Sequence, residues 1–364
     1  MNGEPSRKCT RNGDLEDDNS TGPTTGFDKV AAATRDSDYW FDDGNLILVS
    51  QGVAFRIYKG LLAEHSAMFR SMFHIAQAAP ATEDLVDGCP VIPLDDSPND
   101  LRELFRLIFP LSTNLKFNGR KVDIAFISAV IRLDHKYELK GLHKKALNYL
   151  TTYYTTSFDA WVDGRHAAYW QPDPIHAICA ISLARLTNTP SILPAAFYVC
   201  AALGPDLVRG LSLEAGDGFA ERLAPEDMRL CLEMKAHLVA ENTRAAFLLF
   251  RFPGTQICQR TYGQGTCAEV WRRMLEQAGV YRVPHPIASE RVMDSWVGNA
   301  DCLPTTMLTV GPTPGSVVHM PSYTQRTLCK GCRNHLQVRD QEVRRQIWRR
   351  LPEFVGLTIE NWDV

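Results

Sequence analysis

The reactive side chains concentrate in the last third of the sequence, where ICQRTYGQGTCAEVW and TLCKGCRNHL supply Cys258, Cys267, Cys329 and Cys332. Four thiolates suit a tetrahedral metal such as zinc, and a CxxC turn presents two sulfurs from one tight loop, commonly just before a helix. Cys329-Lys330-Gly331-Cys332 has that form, with Gly331 permitting the turn and a helix expected from Asn334 to Leu351. Cys258 and Cys267 are separated by eight residues, wider than the usual spacing of about two to four. Packed free cysteines, a chance CxxC and a redox pair of the thioredoxin kind remain open beside the metal reading, and the redox pair needs a preceding strand in a βαβ unit. Cys302 and His335 are substitute ligands. A site closed by four protein ligands has no position for water, so its expected role is to fold the C-terminal region and not to catalyse.

No other constellation has the spacing that catalysis needs. GxSxG, Walker, HExxH and strand-to-helix GxGxxG motifs are missing from the sequence. His135 falls within a helix, and His166 and His176 have no carboxylate or cysteine partner that sequence alone can place. The expectation is a non-enzyme with no catalytic residues and no organic cofactor, and structural zinc is the one cofactor the residues suggest.

These cysteines stand in a chain of 364 residues with 45% apolar and 22% charged residues, which is globular composition and enough for several cores. A net charge of -3 provides no global field to draw nucleic acid or an anionic membrane surface. Residues 1–36 begin MNGEPSRKCTRNGDLEDDNSTGPTTG, too polar to bury a core and without a secretory layout, and are expected to be a disordered tail. No apolar run approaches the roughly 18 residues of a membrane span. The expected setting is therefore intracellular, in cytoplasm or nucleus, with the ten cysteines mostly reduced.

Stepping along the chain, Leu46–Val49 and Phe55 to Ile57 flank Ser50-Gln51-Gly52 as a hairpin. Leu61, Leu62, His65, Met68, Phe69, Met72 and Phe73 then recur at helical spacing. CPVIPL predicts a third strand, and Ser97 or Asp100 can cap a helix through Ile108, with Pro98 in its first turn. Two more helices follow, one ending near Tyr137 and one carrying Leu142, Ala146, Leu147 and Leu150. The fold class is α+β, a small sheet flanked by helices, with a mainly helical region after it. That region contains three periodic segments, IHAICAISLARL, ILPAAFYVCAAL and PEDMRLCLEMKAHLVAENTRAAFLLF, and the chain closes on an amphipathic helix. The last helix sets Leu336, Val343, Ile347, Trp348 and Leu351 at core spacing and leaves Arg339, Arg344, Arg345, Arg349 and Arg350 largely elsewhere.

FRIYKGLLAEHSAMFRSMF resembles the BTB/POZ signature, and LDHKYELKGL is similar to a later box of that family. The likeness covers about Asp38 to Leu150. YWFDDGNLILV, DGCPVIPLDDSPNDL and the tail from LCKGCRNHL through WRRLPEFVGL extend it towards the expanded fungal, basidiomycete-type BTB set. It implies a BTB/POZ domain over 37–155, a helical region over 156–252, a cysteine-bearing region over 253–364, and a protein-binding, adaptor or scaffold role without catalysis. It also implies a homodimer or a heteromeric BTB partner, with Asn45, Tyr58 and Lys59 at the interface. Tyr58 stands where the family has histidine, and Asn45 where an aspartate commonly pairs with the basic residue. A cullin-type ligase scaffold is the other family partner, gripped by a hydrophobic-x-Glu motif for which HIAQAAPATEDLVDG supplies Glu83 but only Ala81. The alternative function is a zinc-assisted DNA-binding transcriptional regulator dimerised through its BTB domain.

Overall fold

A computed structural model of the chain describes residues 25–78, 85–109, 122–139, 141–212, 220–254, 256–258, 267–280, 287–297 and 328–363. Residues 1–24, the Ala81/Glu83 segment and Cys302 lie outside the described residues. The fold is α+β, and the chain divides into two compact units, Met1–Phe109 and Pro110–Val364. The 37–155 span is thereby shared between the units, while 156–252 and 253–364 fall in the same one.

The first unit is built on a mixed five-stranded sheet. Its strands are β1 (Thr34–Trp40), β2 (Leu46–Ser50), β3 (Val53–Ile57), β4 (Leu85–Val86) and β5 (Cys89–Leu94), in the order β1-β3-β2-β5-β4. β2 and β3 are the expected hairpin, with Leu46 opposite Ile57 and Ser50 opposite Val53. Gln51 (φ 44) and Gly52 (φ 78) form the two-residue turn, whose positive φ angles match the twist of the strands. β1 runs parallel to β3, and β5 parallel to β2.

Leu46, Ile47 and Leu48 are all fully buried, so β2 is covered on both faces. One face packs Ile47, Ala54, Cys89 and Val91 against Val30. Val30 lies on α1 (Gly26–Ala31), whose N-cap Thr25 and Asp28 form a reciprocal capping box. This corrects the expectation of disorder for residues 26–36. Asp36 of β1, a buried carboxylate, accepts from Arg102 Nε at 2.7 Å.

The other face receives Phe55 and Phe105, with ring centroids 5.3 Å apart, and the helices α2 (Lys59–His65), α3 (Ala67–Ala78) and α4 (Pro98–Ile108) complete the unit. The single helix expected from Leu61 to Phe73 is interrupted at Ser66, which is extended at φ -137 and ψ 123. Its hydroxyl accepts the Phe69 N–H at 2.9 Å, so it caps α3. α4 begins as expected, with Ser97 as N-cap and Pro98 in its first turn.

The second unit is helical. α5 (Ile124–Tyr137) and α6 (Leu142–Tyr153) pack together and α7 (Phe158–Val162) follows. The three periodic segments become α8 (Ala177–Leu186), α9 (Leu193–Ala201) and α11 (Pro225–Leu249), with the short α10 (Asp206–Arg209) between the last two. α9 is apolar on nearly every side and is correspondingly buried, touching α8, α11 and the C-terminal helix. A short pair, β6 (Leu211–Ser212) and β7 (Ala220–Glu221), places Glu221 against Arg132 of α5 at 2.5 Å. α12 (Cys267–Val280) and α13 (Lys330–Phe354) complete the described elements.

Gly210 leads into β6 with φ +82, and an added Cβ would sit 2.6 Å from the Glu221 carbonyl oxygen. Gly210→Ala combines left-handed strain with a backbone clash and is expected to lower unfolding free energy by about 2–3 kcal/mol in urea titrations. A loss below about 0.5 kcal/mol would contradict that packing.

Candidate metal centre

Three segments converge on one cysteine cluster, and the pairing of the two longest helices explains why. Arg339 of α13 donates to the Arg251 carbonyl just beyond α11 at 3.1 Å, Arg350 reaches Glu241 at 2.6 Å, and Phe354 stacks on His237 at 5.0 Å. Rising numbers on one helix meet falling numbers on the other, so α11 and α13 are antiparallel. The N-terminus of α13 therefore lies beside the chain that leaves α11, and that chain carries Cys258.

Cys329 is the N-cap of α13, Cys332 lies in its first turn and Cys267 opens α12. The Sγ atoms of Cys258, Cys267, Cys329 and Cys332 all lie within 4.8 Å of one another. A tetrahedral thiolate site with metal–sulfur bonds near 2.3 Å sets its sulfurs about 3.8 Å apart, so small side-chain rotations close the cluster onto an ion. None of the four is in a disulfide; Cys258 is half-buried and the other three are buried. His335 is not in the cluster. The four cysteines can hold a metal ion.

The local electrostatics fit a cation. Two helix N-termini point their positive ends at the sulfurs, which favours thiolates. The Cys329 N–H donates to Cys267 Sγ at 3.3 Å. Burial nevertheless raises the Cys267 thiol, and burial together with the neighbouring thiols pushes Cys332 up. A divalent ion would supply the charge that lets these groups ionise, giving four bonds that tie three segments together. Metal uptake should release protons, and retention should weaken on acidification.

The CxxC differs in detail from expectation. α13 begins at Lys330 and not Asn334, so Gly331 lies inside the first helical turn. The helix start itself separates Cys329 and Cys332, and no glycine turn is needed.

Arg344, expected away from the core with the other arginines of the last helix, is instead buried in a pair with Asp340 four residues before it, a spacing that signals such a pair. Asp340 is 1% exposed and Arg344 7%. Asp340 accepts from Arg344 Nε at 3.0 Å, Ser295 Oγ at 2.8 Å and the Trp296 N–H at 3.1 Å, while Arg344 donates to the Met293 carbonyl. The pair clamps residues 293–296 onto α13. The arginines expected on a basic face are engaged internally: Arg345 with Asp159 and Asp363, Arg349 with Asp363, and Arg350 with Glu241 and Glu353.

Asn45, Tyr58 and Lys59 do come together, at the junction of hairpin and α2. Asn45 Oδ1 accepts the Lys59 backbone N–H at 2.9 Å, and Tyr58 donates its hydroxyl to Asp43 at 2.5 Å while stacking on Phe41 at 4.9 Å. His135 is exposed on α5. His176 accepts the Asp173 N–H and closes a capping box, and His166 stacks on Trp161. Among the described residues no helix is long and apolar enough to cross a membrane. Comparison of the chain with protein-family models, curated proteins and solved structures yields no match.

Proposed function

We propose that this protein is a non-catalytic, intracellular protein-interaction module of the BTB/POZ type, self-associating or docking a protein partner through its first unit. The observation that carries the reading is a pair of large apolar side chains left exposed on two adjoining helices. α2 and α3 pack together yet leave Leu61 and Met68 each 43% exposed, beside the signature residues Phe55, Leu62 and Phe69, which are fully buried. Large apolar side chains on a signature-bearing helix pair are the kind of surface that a second protein covers. Asn45 and Asp43 brace the hairpin that presents α2.

In the same reading the four cysteines hold structural zinc. Four thiolates in tetrahedral reach select zinc among the common divalent ions, and the closed ligand set leaves folding as its role. The alternative, a DNA-binding regulator, draws no support from α13, whose arginines are spent on internal pairs.

Sedimentation equilibrium of the full chain at two concentrations tests the proposal. The wild type should sediment as a dimer, and Leu61→Glu with Met68→Glu as a monomer whose stability changes by no more than about 1 kcal/mol. A wild-type monomer at both concentrations that captures no protein partner would sink the reading.

A further inference from the structure

The four sulfurs of the cysteine centre are not equally reachable. Cys267 and Cys332 are fully buried and Cys329 is 8% exposed, each fixed at the start of a helix. Cys258 is half-buried and stands outside any helix or strand, just after a turn at 256–257. A solute arriving from solvent therefore meets Cys258 before the other three. Every other Sγ of the cluster lies within 4.8 Å of its own. A thiolate that meets an oxidant beside a second thiolate ends as a disulfide.

Exposure and ionisation together decide which thiols react. A bound divalent ion keeps its cysteine ligands as thiolates, the nucleophilic form. Cys179, Cys200 and Cys231 are fully buried outside the cluster, and burial raises the Cys179 and Cys200 thiols, so these three are inert by comparison. The ties of α13 are uneven as well. Its middle and C-terminal turns are held independently of the sulfurs, by Asp340 with Arg344, by Arg350 with Glu241, and by Trp348 Nε1 donating to the Thr156 carbonyl at 3.0 Å. Its first turn is joined to Cys258 and to the start of α12 through the sulfur cluster. Val270, Trp271, Met274 and Leu336 are buried in the turns that follow these two helix starts.

We propose that the cysteine centre is a peroxide-sensitive latch, in which oxidation of Cys258 ejects the ion and frees the starts of α12 and α13 while the rest of the second unit stays folded. The inference rests on the zinc reading above. The Cys258 thiolate attacks hydrogen peroxide: an S–O bond forms, the O–O bond breaks, and the departing hydroxide takes a proton from solvent to become water. A second cluster thiolate then attacks the sulfenic sulfur of Cys258. An S–S bond forms, the S–OH bond breaks, and this hydroxide too leaves as water after taking up a proton. Two thiolates lose two electrons in all, and one peroxide is reduced to two waters. The two sulfurs that remain do not close a tetrahedral site, so the zinc is lost. A dithiol reductant reverses the step by exchange and restores the four ligands.

The test treats the zinc-loaded full chain with excess hydrogen peroxide, follows released zinc with a colorimetric chelator against an untreated control, and maps disulfides by mass spectrometry. About one zinc per chain should be bound beforehand and released by peroxide. The first disulfide should contain Cys258, with Cys179, Cys200 and Cys231 still reduced. Hydrogen-exchange protection should then fall by at least about tenfold over 267–274 and 330–337 and persist over 343–354. Reductant with zinc should restore it. A chain that holds no zinc before treatment would remove the zinc reading and this inference with it. Zinc that stays bound under peroxide, a first disulfide without Cys258, or protection that is unchanged at 330–337 or lost throughout α13 would overturn the inference alone and leave the zinc reading standing.

Discussion

Cys332→Ser is expected to abolish metal retention and to produce the largest stability loss of any single substitution in the cluster. Cys332 is fully buried in the first turn of α13, Cys329 is the N-cap of the same helix, and Cys258 and Cys267 reach it from two other segments. A structural zinc contributes on the order of 10 kcal/mol to the folding of a small isolated finger. Here α13 is also held by α9 and α11, so the expected loss is smaller, about 4 kcal/mol, or roughly 10 °C in Tm for a unit of this size. Chelation of the wild type should reproduce most of that shift, and chelation of the variant should add nothing. Equal stability of wild type and variant with and without chelator would show that the cysteines are only packed thiols.

The second large effect belongs to Asp340. Asp340→Ala leaves the Arg344 guanidinium buried without its carboxylate and releases Ser295 and Trp296. Breaking a buried pair from one side costs about 3–5 kcal/mol, mostly because the remaining charge stays desolvated. Asp340→Leu combined with Arg344→Met should therefore cost less than Asp340→Ala alone, since no charge is stranded. Urea unfolding of the single and double variants measures this directly, and a double variant worse than the single one would refute the assignment.

The elements closest to local sequence rules were the most legible. The β2–β3 hairpin followed from an apolar run, a Gln-Gly turn and a second run, and α4 from Ser97 and Pro98. The cysteine cluster was legible as a ligand set because CxxC is a local motif, whereas the approach of Cys258 and Cys267 depends on the antiparallel packing of α11 and α13. That packing is set by contacts such as Arg350 with Glu241, which are far apart in sequence. The order of residues 26–36 was missed although the clue was present. Leu46–Val49 does not alternate, so β2 had to be buried on both faces, and Val30 of α1 supplies the cover on one of them. Ser66 was read through because its neighbours keep helical periodicity, and its capping hydroxyl overrides that pattern.

Cobalt titration of the metal-stripped full chain, read by absorption, tests the cysteine centre most directly. The prediction is one cobalt per chain with thiolate charge-transfer bands and the intense d–d bands of tetrahedral coordination, both lost in Cys332→Ser and displaced by equimolar zinc. Weak octahedral spectra, or a stoichiometry unaffected by Cys332→Ser, would contradict a four-cysteine centre.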